Sequence, residues 1–236
     1  MNPVRFPVVA AQGLWLRSTL GLASAPGGGV SGTAPGSAGT PLRLAVLGDS
    51  TAVGCGVTGD DEAFAAAFAR EIAARTGQPV DWQVVGQFGA TSRRIRYRLV
   101  PRLGDELDVV VLLAGTNDVM ARRGPALWRE DLSGILTDLA DRAGRVAVAG
   151  IPPFARFPAI PATLARYLGE RADALNAVSQ QVCERDPERT TYLAPPDGTP
   201  PPEFFGADRF HPSALGYRLW AQDLAARFVP APRLSD

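Results

Sequence analysis

The chain has 236 residues, 46% of them hydrophobic, and its 24 basic and 24 acidic side chains cancel at neutral pH. That length and apolar content suffice for one globular domain with a full core, and the lack of net positive charge argues against nucleic acid as a partner. Every basic position is arginine, and the absence of lysine excludes Schiff bases, Ser–Lys dyads and P-loops.

Residues 1–40 stand apart from the rest. Pro7 to Leu16 is apolar, but Gln12 interrupts it and Arg17 follows, so no stretch reaches the roughly 20 residues of a membrane span. Ala23, Ser24 and Ala25 resemble a signal-peptidase site, yet Pro26 follows and the apolar run is broken. The leader reads as a poor signal, an interfacial anchor or a helix packed on the domain. Its weakness as a signal and the scarcity of cysteine favour the cytoplasm, with secretion or membrane association through residues 1–25 as the alternatives. Pro26 to Pro41 is rich in Gly, Ser and Pro and is expected to be a flexible linker. The folded domain is expected over residues 41–230, followed by a short tail, 231–236.

From Leu42 onward strands and helices alternate. Leu42 to Ser50 reads as a buried apolar strand, followed by a helix from about Asp61 to Arg75 that carries Phe64, Phe68 and Ile72 on one face. A strand near Val80 to Val85, a helix near Ser92 to Leu99 and a strand from Val109 come next. Then follow a helix from about Trp128 to Arg142, a strand at Val146 to Ile151, a helix near Leu164 to Arg185 and a short strand at Thr191 to Leu193. A last helix begins after Pro212 and Ser213 and is expected to turn Leu215, Leu219, Trp220, Leu224 and Phe228 inward. Such alternation predicts an α/β fold, a three-layer α/β/α sandwich around a parallel, flavodoxin-like sheet.

The chemistry-bearing residues fall at strand ends. His211 is the single histidine, three residues after Asp208 in the run DRFHP, and Ser50 ends the first strand in GDST. Ser, His and Asp are the set acyl transfer needs: a hydroxyl nucleophile, a base that titrates near neutrality and a carboxylate that holds the imidazole's tautomer. One turn or a tight loop would bring Asp208 and His211 together. Two further strand ends supply Gly86 and Gly89, and Gly115, Thr116 and Asn117, the last with two N–H donors on a short arm.

These blocks occur in the order of a known family. With GDS at Gly48 to Ser50, the glycine of GATS at Gly89, GTND at Gly115 to Asp118 and DRFH at Asp208 to His211, the chain resembles the SGNH hydrolases, or GDSL-type esterases, over most of Leu42 to Phe228. The resemblance implies that Ser50 is the nucleophile of a catalytic triad with His211 and Asp208. It further implies an oxyanion hole made of the N–H groups of Ser50 and Gly89 and the amide of Asn117, with no metal or organic cofactor. The second block departs from many relatives, which begin it with Asn in a pattern like NxxxSG. Here the stretch is VVGQFG, with Val84 in the Asn place and Phe88 before Gly89.

The reading that follows is a serine esterase acting on a small-molecule, lipid or sugar ester. A carbohydrate O-deacetylase, a lysophospholipase and a thioesterase share the triad, because function lives in the pocket. A non-catalytic glycan- or lipid-binding relative is opposed by the intact set of functional groups. The formal GxGxxG at Gly54 to Gly59 begins past the strand end and lacks the tight strand-to-helix turn a dinucleotide needs. Two proline-rich stretches, Ile151 to Leu168 and Ala194 to Asp208, are candidates for shaping the substrate pocket, with Phe154 and Phe157 as possible walls. Arg93, Arg94, Arg96, Arg98 and Arg102 read as a solvated helix face that leaves Ile95 and Leu99 inward, with an anionic-substrate role as the alternative. Cys55 and Cys183 are too few for a disulfide scaffold, and no CxxC or histidine cluster offers a metal site.

Overall fold

A computed structural model describes residues 30–228. In chain order the elements are β1 (Ser31–Ala34), β2 (Leu42–Gly48), α1 (Phe64–Thr76), β3 (Val80–Gly86), α2 (Ser92–Arg94), β4 (Leu107–Leu113), α3 (Thr116–Met120), α4 (Pro125–Leu139), β5 (Ala143–Ala149), α5 (Ala162–Cys183), β6 (Thr190–Leu193) and α6 (Ala214–Arg227). The strands form one sheet in the order β1-β3-β2-β4-β5-β6. All neighbours are parallel except β1, which runs antiparallel along β3 with Ser31 opposite Gln83 and Ala34 opposite Val80. The fold is the expected α/β/α sandwich.

The strand period divides the apolar residues between two layers, since successive side chains point to opposite faces. Ala45, Leu47, Val110, Leu112, Val146 and Val148 face the layer of α2, α4 and α5. Leu44, Val46, Val109, Val111, Leu113 and Ala147 face α1 and α6. Because both faces are covered, β4 is buried at nearly every position.

Local chemistry sets the helix ends. Gly77 closes α1 in the left-handed conformation at φ 74°, with its N–H donating to the Ala73 carbonyl. Pro125 opens α4 directly after Gly124, where its fixed φ suits the first helical position. Ser213 caps α6, its hydroxyl oxygen accepting from the Gly216 N–H at 3.2 Å. The sequence expectation put the start of the first long helix near Asp61; residues Asp60–Glu62 instead make a separate 3₁₀ turn. After α2 the chain continues as a π-helical turn, Ile95–Leu99, with Ile95 and Leu99 buried as expected.

Two readings are corrected. Within the stretch expected to be a flexible linker, Ser31–Ala34 pairs along the edge of the sheet as β1; the Ser and Gly composition is compatible with an edge strand whose order comes from β3 rather than from its own propensity. On α6 the buried face is Gly216, Tyr217, Ala221, Leu224 and Ala225. Leu224 and, just past the helix, Phe228 are buried as expected, whereas Leu215, Leu219 and Trp220 are half-buried; Leu219 and Trp220 border a cavity, and the Trp220 ring also packs on Phe64 at 4.9 Å. Among the described residues no helix is long and apolar enough to cross a membrane.

At the carboxyl edge the backbones of β2 and β4 approach closely at Gly48, where an added Cβ would stand 2.1 Å from the Leu113 carbonyl oxygen. Gly48→Ala therefore forces the two central strands apart. We expect a loss of about 1–3 kcal/mol of unfolding free energy, as for other overpacked core sites, read as a lower urea midpoint; an unchanged midpoint would contradict this close approach.

Candidate active site

Ser50 sits in the turn that leaves β2. The Asp49 N–H donates to the Leu113 carbonyl at 3.1 Å, and the Asp49 carboxylate accepts from the Thr51 N–H at 3.0 Å and the Thr51 hydroxyl at 2.9 Å. Asp49 thus satisfies its own turn, as Asp does in Asx-type turns. The Cys55 N–H then donates to the Ser50 carbonyl at 3.0 Å.

The partner loop is built just as locally. Asp208 Oδ1 accepts the backbone N–H groups of Phe210 and His211, each at 2.9 Å, and Asp208 Oδ2 lies 2.6 Å from His211 Nδ1. Arg209 takes the left-handed region at φ 56° to let the chain double back. Antiparallel contacts hold the loop from outside: the Gly206 N–H donates to the His211 carbonyl at 2.8 Å and the Ser213 N–H to the Phe204 carbonyl at 2.8 Å. Tyr217 on α6 donates its buried hydroxyl to the Cys55 carbonyl at 2.6 Å, joining this loop to the turn after Ser50. Burial pushes the Tyr217 phenol well above its usual range, so it remains a donor.

These supports bring His211 Nε2 to 2.9 Å from Ser50 Oγ, across a separation of 161 residues. The Asp208 and His211 side chains are each 2% exposed, so the Ser–His–Asp chain of contacts is shielded almost to its end.

Asn117 borders the same cavity as Ser50 and His211, and Gly89 follows Phe88, whose ring lies 6.2 Å from that of His211. Gly89 has φ 72°, and no atom lies within 4 Å of where its Cβ would be, so glycine serves a left-handed backbone here rather than a lack of space. Among the described residues the N–H groups of Ser50 and Gly89 donate to no protein acceptor. Asn117 lies in the first turn of α3, with Nδ2 at 3.2 Å from both Asp49 Oδ2 and the Ala90 carbonyl. Next to it, the fully buried Asp118 accepts from the Ser92 N–H at 2.9 Å and the Ser92 hydroxyl at 2.6 Å, with Arg123 Nε 3.0 Å away. Burial pushes the carboxyls of Asp49 and Asp118 above the usual range, and the hydrogen bonds from Thr51 and Ser92 oppose it. The sequence marked the Gly89 loop and Asn117; the Ser92 to Asp118 link between them has no local signal.

A cavity of about 290 Å³ opens beside Ser50 and His211. Of the two phenylalanines predicted for its wall, only Phe157 borders it. Phe154 is fully buried behind Phe157, with ring centroids 5.5 Å apart, because the short helical turn Phe154–Arg156 points its first side chain into the core. Phe205 and Phe210, 5.6 and 5.1 Å from the Phe157 ring, complete the aromatic side. Leu219 and Trp220 of α6 also border the cavity. Both phenylalanines come from the region around DRFH, and the two α6 residues come from a helix whose cavity side sequence could not orient.

None of the clustered arginines Arg93, Arg94, Arg96, Arg98 and Arg102 borders the cavity. Arg96 lies against α4, near Asp131 and Asp138. The GCGVTG run is a turn rather than a phosphate loop: Gly56, at φ 104°, packs so tightly on the His211 loop that a Cβ would stand 2.4 Å from the Pro212 carbonyl. Among the described residues no group of His, Cys, Asp or Glu is arranged to hold a metal ion.

Residues 46–219 match the GDSL-like lipase/acylhydrolase family. The chain belongs to this family. It is 30% identical over 186 residues to the GDSL-like esterase Rv1075c of Mycobacterium tuberculosis, a match covering 76% of this chain and 59% of that protein, so the chain spans less than two thirds of its relative's length. The fold is similar to that of a lipase/acylhydrolase from Enterococcus faecalis, with 22% identity and a TM-score of 0.58 over 81% of this chain and 100% of the other. It is also similar to an aryl esterase from M. smegmatis, with 19% identity and a TM-score of 0.55 over 79% and 97% of the two chains.

The two thiols are buried and protonated. Burial and the nearby Asp49 push Cys55 up to about 11, and burial pushes Cys183 up to about 12. Because only the thiolate is nucleophilic, neither should be alkylated by iodoacetamide at pH 7.5 in the folded protein, whereas both should react in denaturant. Rapid labelling of native Cys55, read by peptide mass, would contradict this environment.

Proposed function

We propose that the protein is a serine carboxylic ester hydrolase working through an acyl-enzyme on Ser50. The observation that carries the reading is the continuous path from Ser50 Oγ to His211 Nε2 at 2.9 Å and from His211 Nδ1 to Asp208 at 2.6 Å. In this mechanism His211 takes the Ser50 proton as the hydroxyl oxygen attacks the ester carbonyl, and Asp208 holds the imidazole's orientation and stabilises its charged form. The tetrahedral oxyanion accepts hydrogen bonds from the N–H groups of Ser50 and Gly89 and from the Asn117 amide. His211 returns the proton to the departing alcohol, then activates the water that releases the acid.

That the N–H groups of Ser50 and Gly89 meet no acceptor among the described residues supports the oxyanion assignment, since donors already fixed by the fold need no reorganisation during reaction. Asn117 shares its amide between Asp49 and the Ala90 carbonyl at 3.2 Å, distances long enough for one proton to turn to a stronger, charged acceptor. The apolar wall of Phe157, Phe205, Phe210, Leu219 and Trp220 favours a hydrocarbon acyl group. We assign the catalytic domain to residues 41–230, with β1 annexed from the preceding segment.

The test is hydrolysis of p-nitrophenyl esters from acetyl to long chain. Ser50→Ala and His211→Ala should each abolish turnover, while Asn117→Ala should lower kcat by about 10²–10³, the effect of losing one oxyanion donor. A wild type inert on every ester, or full turnover by Ser50→Ala, would overturn the assignment.

Phe157→Ala should lower kcat/KM on long-chain esters more than on acetyl esters. Phe154→Ala should instead cost about 3–5 kcal/mol of stability, as core aromatic truncations do, without altering the chain-length profile. Equal losses across the series for Phe157→Ala would remove it from the acyl wall.

A further inference from the structure

The arginine cluster stays away from the cavity, but another arginine does not. Arg156, the last residue of the short helical turn Phe154–Arg156, borders the cavity beside Ser50 and His211, and among the described residues no other arginine does. Its Nη1 donates to the Pro196 carbonyl, and Pro196 borders the same cavity, so the two proline-rich stretches meet at this guanidinium.

A guanidinium carries five N–H donors in a fixed fork, and the Pro196 carbonyl takes one of them. Among the described residues Arg156 forms no ion pair, and its remaining nitrogens neither meet a protein acceptor nor are sealed from solvent. Arg156 is thus a half-buried cation with open donors, on the wall of a cavity whose lining is mostly hydrocarbon. The carboxylates along the same cavity are engaged elsewhere or lie in water. Asp49 accepts from Thr51 and Asn117, and Asp223 pairs with Arg227 on α6. Asp197 follows Pro196 and is exposed, so solvent screens its charge.

Aromatic rings line the path between the catalytic base and this segment. The Phe210 ring lies 5.1 Å from the His211 ring, the Phe157 ring lies 5.1 Å from Phe210, and Arg156 is the neighbour of Phe157 in the chain. A chain extending from Ser50 along these rings has hydrocarbon beside it before it comes to the guanidinium.

We propose that Arg156 is a specificity-determining residue that recognises a carboxylate separated from the scissile ester by a hydrocarbon spacer. The substrate class is then the monoester of a dicarboxylic acid, a reading that rests on the serine hydrolase assignment and narrows it. The ester carbonyl lies at Ser50, the methylene spacer along Phe210 and Phe157, and the free carboxylate on the open N–H groups of Arg156. The planar fork matches a carboxylate bidentately. An anion entering a mostly apolar cavity loses its water, and a charged donor offsets that loss. A neutral chain of the same length displaces water from the guanidinium and returns no hydrogen bond to it, so discrimination acts in both directions. In the reaction the acyl C–O bond breaks, the alcohol departs with the proton from His211, and the oxygen of water completes the second carboxylate.

The test pairs substrates of equal chain length: monomethyl adipate against methyl hexanoate, and monomethyl suberate against methyl octanoate, with the released acid measured by liquid chromatography. In at least one pair the wild type should show about tenfold or more higher kcat/KM for the monoester, the scale of a hydrogen bond to a charged group, and added salt should narrow the ratio. Arg156→Gln keeps a donor for the Pro196 carbonyl but removes the charge. It should bring the ratio near unity, chiefly by raising KM for the monoester, and Arg156→Lys should recover part of the preference. Equal kcat/KM for both members of each pair in the wild type overturns the proposal. So does an Arg156→Gln variant that lowers both members alike, which is the outcome of a purely structural tie between the two stretches. Both results leave the hydrolase reading standing wherever the neutral esters are hydrolysed. If neither series is hydrolysed, calorimetric titration with monomethyl suberate decides: binding that Arg156→Gln abolishes keeps the carboxylate site and removes the hydrolase reading, and absence of binding removes both.

Discussion

Three carboxylates buried along one edge of the sheet hold the site together. An ionised carboxylate taken out of water is costly unless hydrogen-bond donors replace the water, and Asp49, Asp118 and Asp208 each meet that demand with donors from neighbouring turns. Asp118 gathers Ser92 and Arg123, so it joins the loop of Gly89 to the helix of Asn117. Asp49 gathers Thr51 and Asn117, joining the turn of Ser50 to the same helix. Asp208 gathers two backbone N–H groups and the imidazole. The requirement that buried carboxylates be satisfied therefore ties these turns to one another.

The sheet supplies the platform for these turns. Gly48 lets β2 and β4 come close enough for the Asp49 N–H to reach the Leu113 carbonyl, and the parallel order delivers Ser50 and Asn117 to the same edge. Such strand ends are where open α/β sheets bind ligands. The Tyr217 hydroxyl on the Cys55 carbonyl completes the frame from the side of α6. With both ends anchored, the imidazole is held against the serine hydroxyl, and the entropy of that alignment is lost on folding.

The cavity and the outer surface obey different physics. Within the cavity the groups bordering Ser50 are mostly hydrocarbon, which lowers the local polarity and strengthens the hydrogen bonds made there. On the outer surface, exposed side chains such as Arg93, Arg94 and Arg98 remain in solvent, where charge acts over a distance comparable to the Debye length. The antiparallel edge strand sets Ser31 beside Gln83, toward the carboxyl end of β3.

Much of this was legible in the sequence because its signals are local. Alternating apolar periods gave the layers, and GDS, GTND and DRFH marked strand ends with their chemistry. His211 as the single imidazole left one candidate for the base. Other features depended on partners distant in the chain. The segment Ser31–Ala34 becomes a strand because β3 offers a free edge, so its Gly and Ser composition pointed elsewhere. Phe154 and Phe157 differ by three positions, yet a short helical turn buries one and leaves the other on the cavity. Sequence by itself determined the fold class and the inventory of reactive groups, since periodicity and residue chemistry are properties of short windows. Only the tertiary structure decided which side chains meet, because the 2.9 Å contact between Ser50 and His211 and the packing of Phe205, Phe210, Leu219 and Trp220 around the cavity depend on how separate segments are brought together.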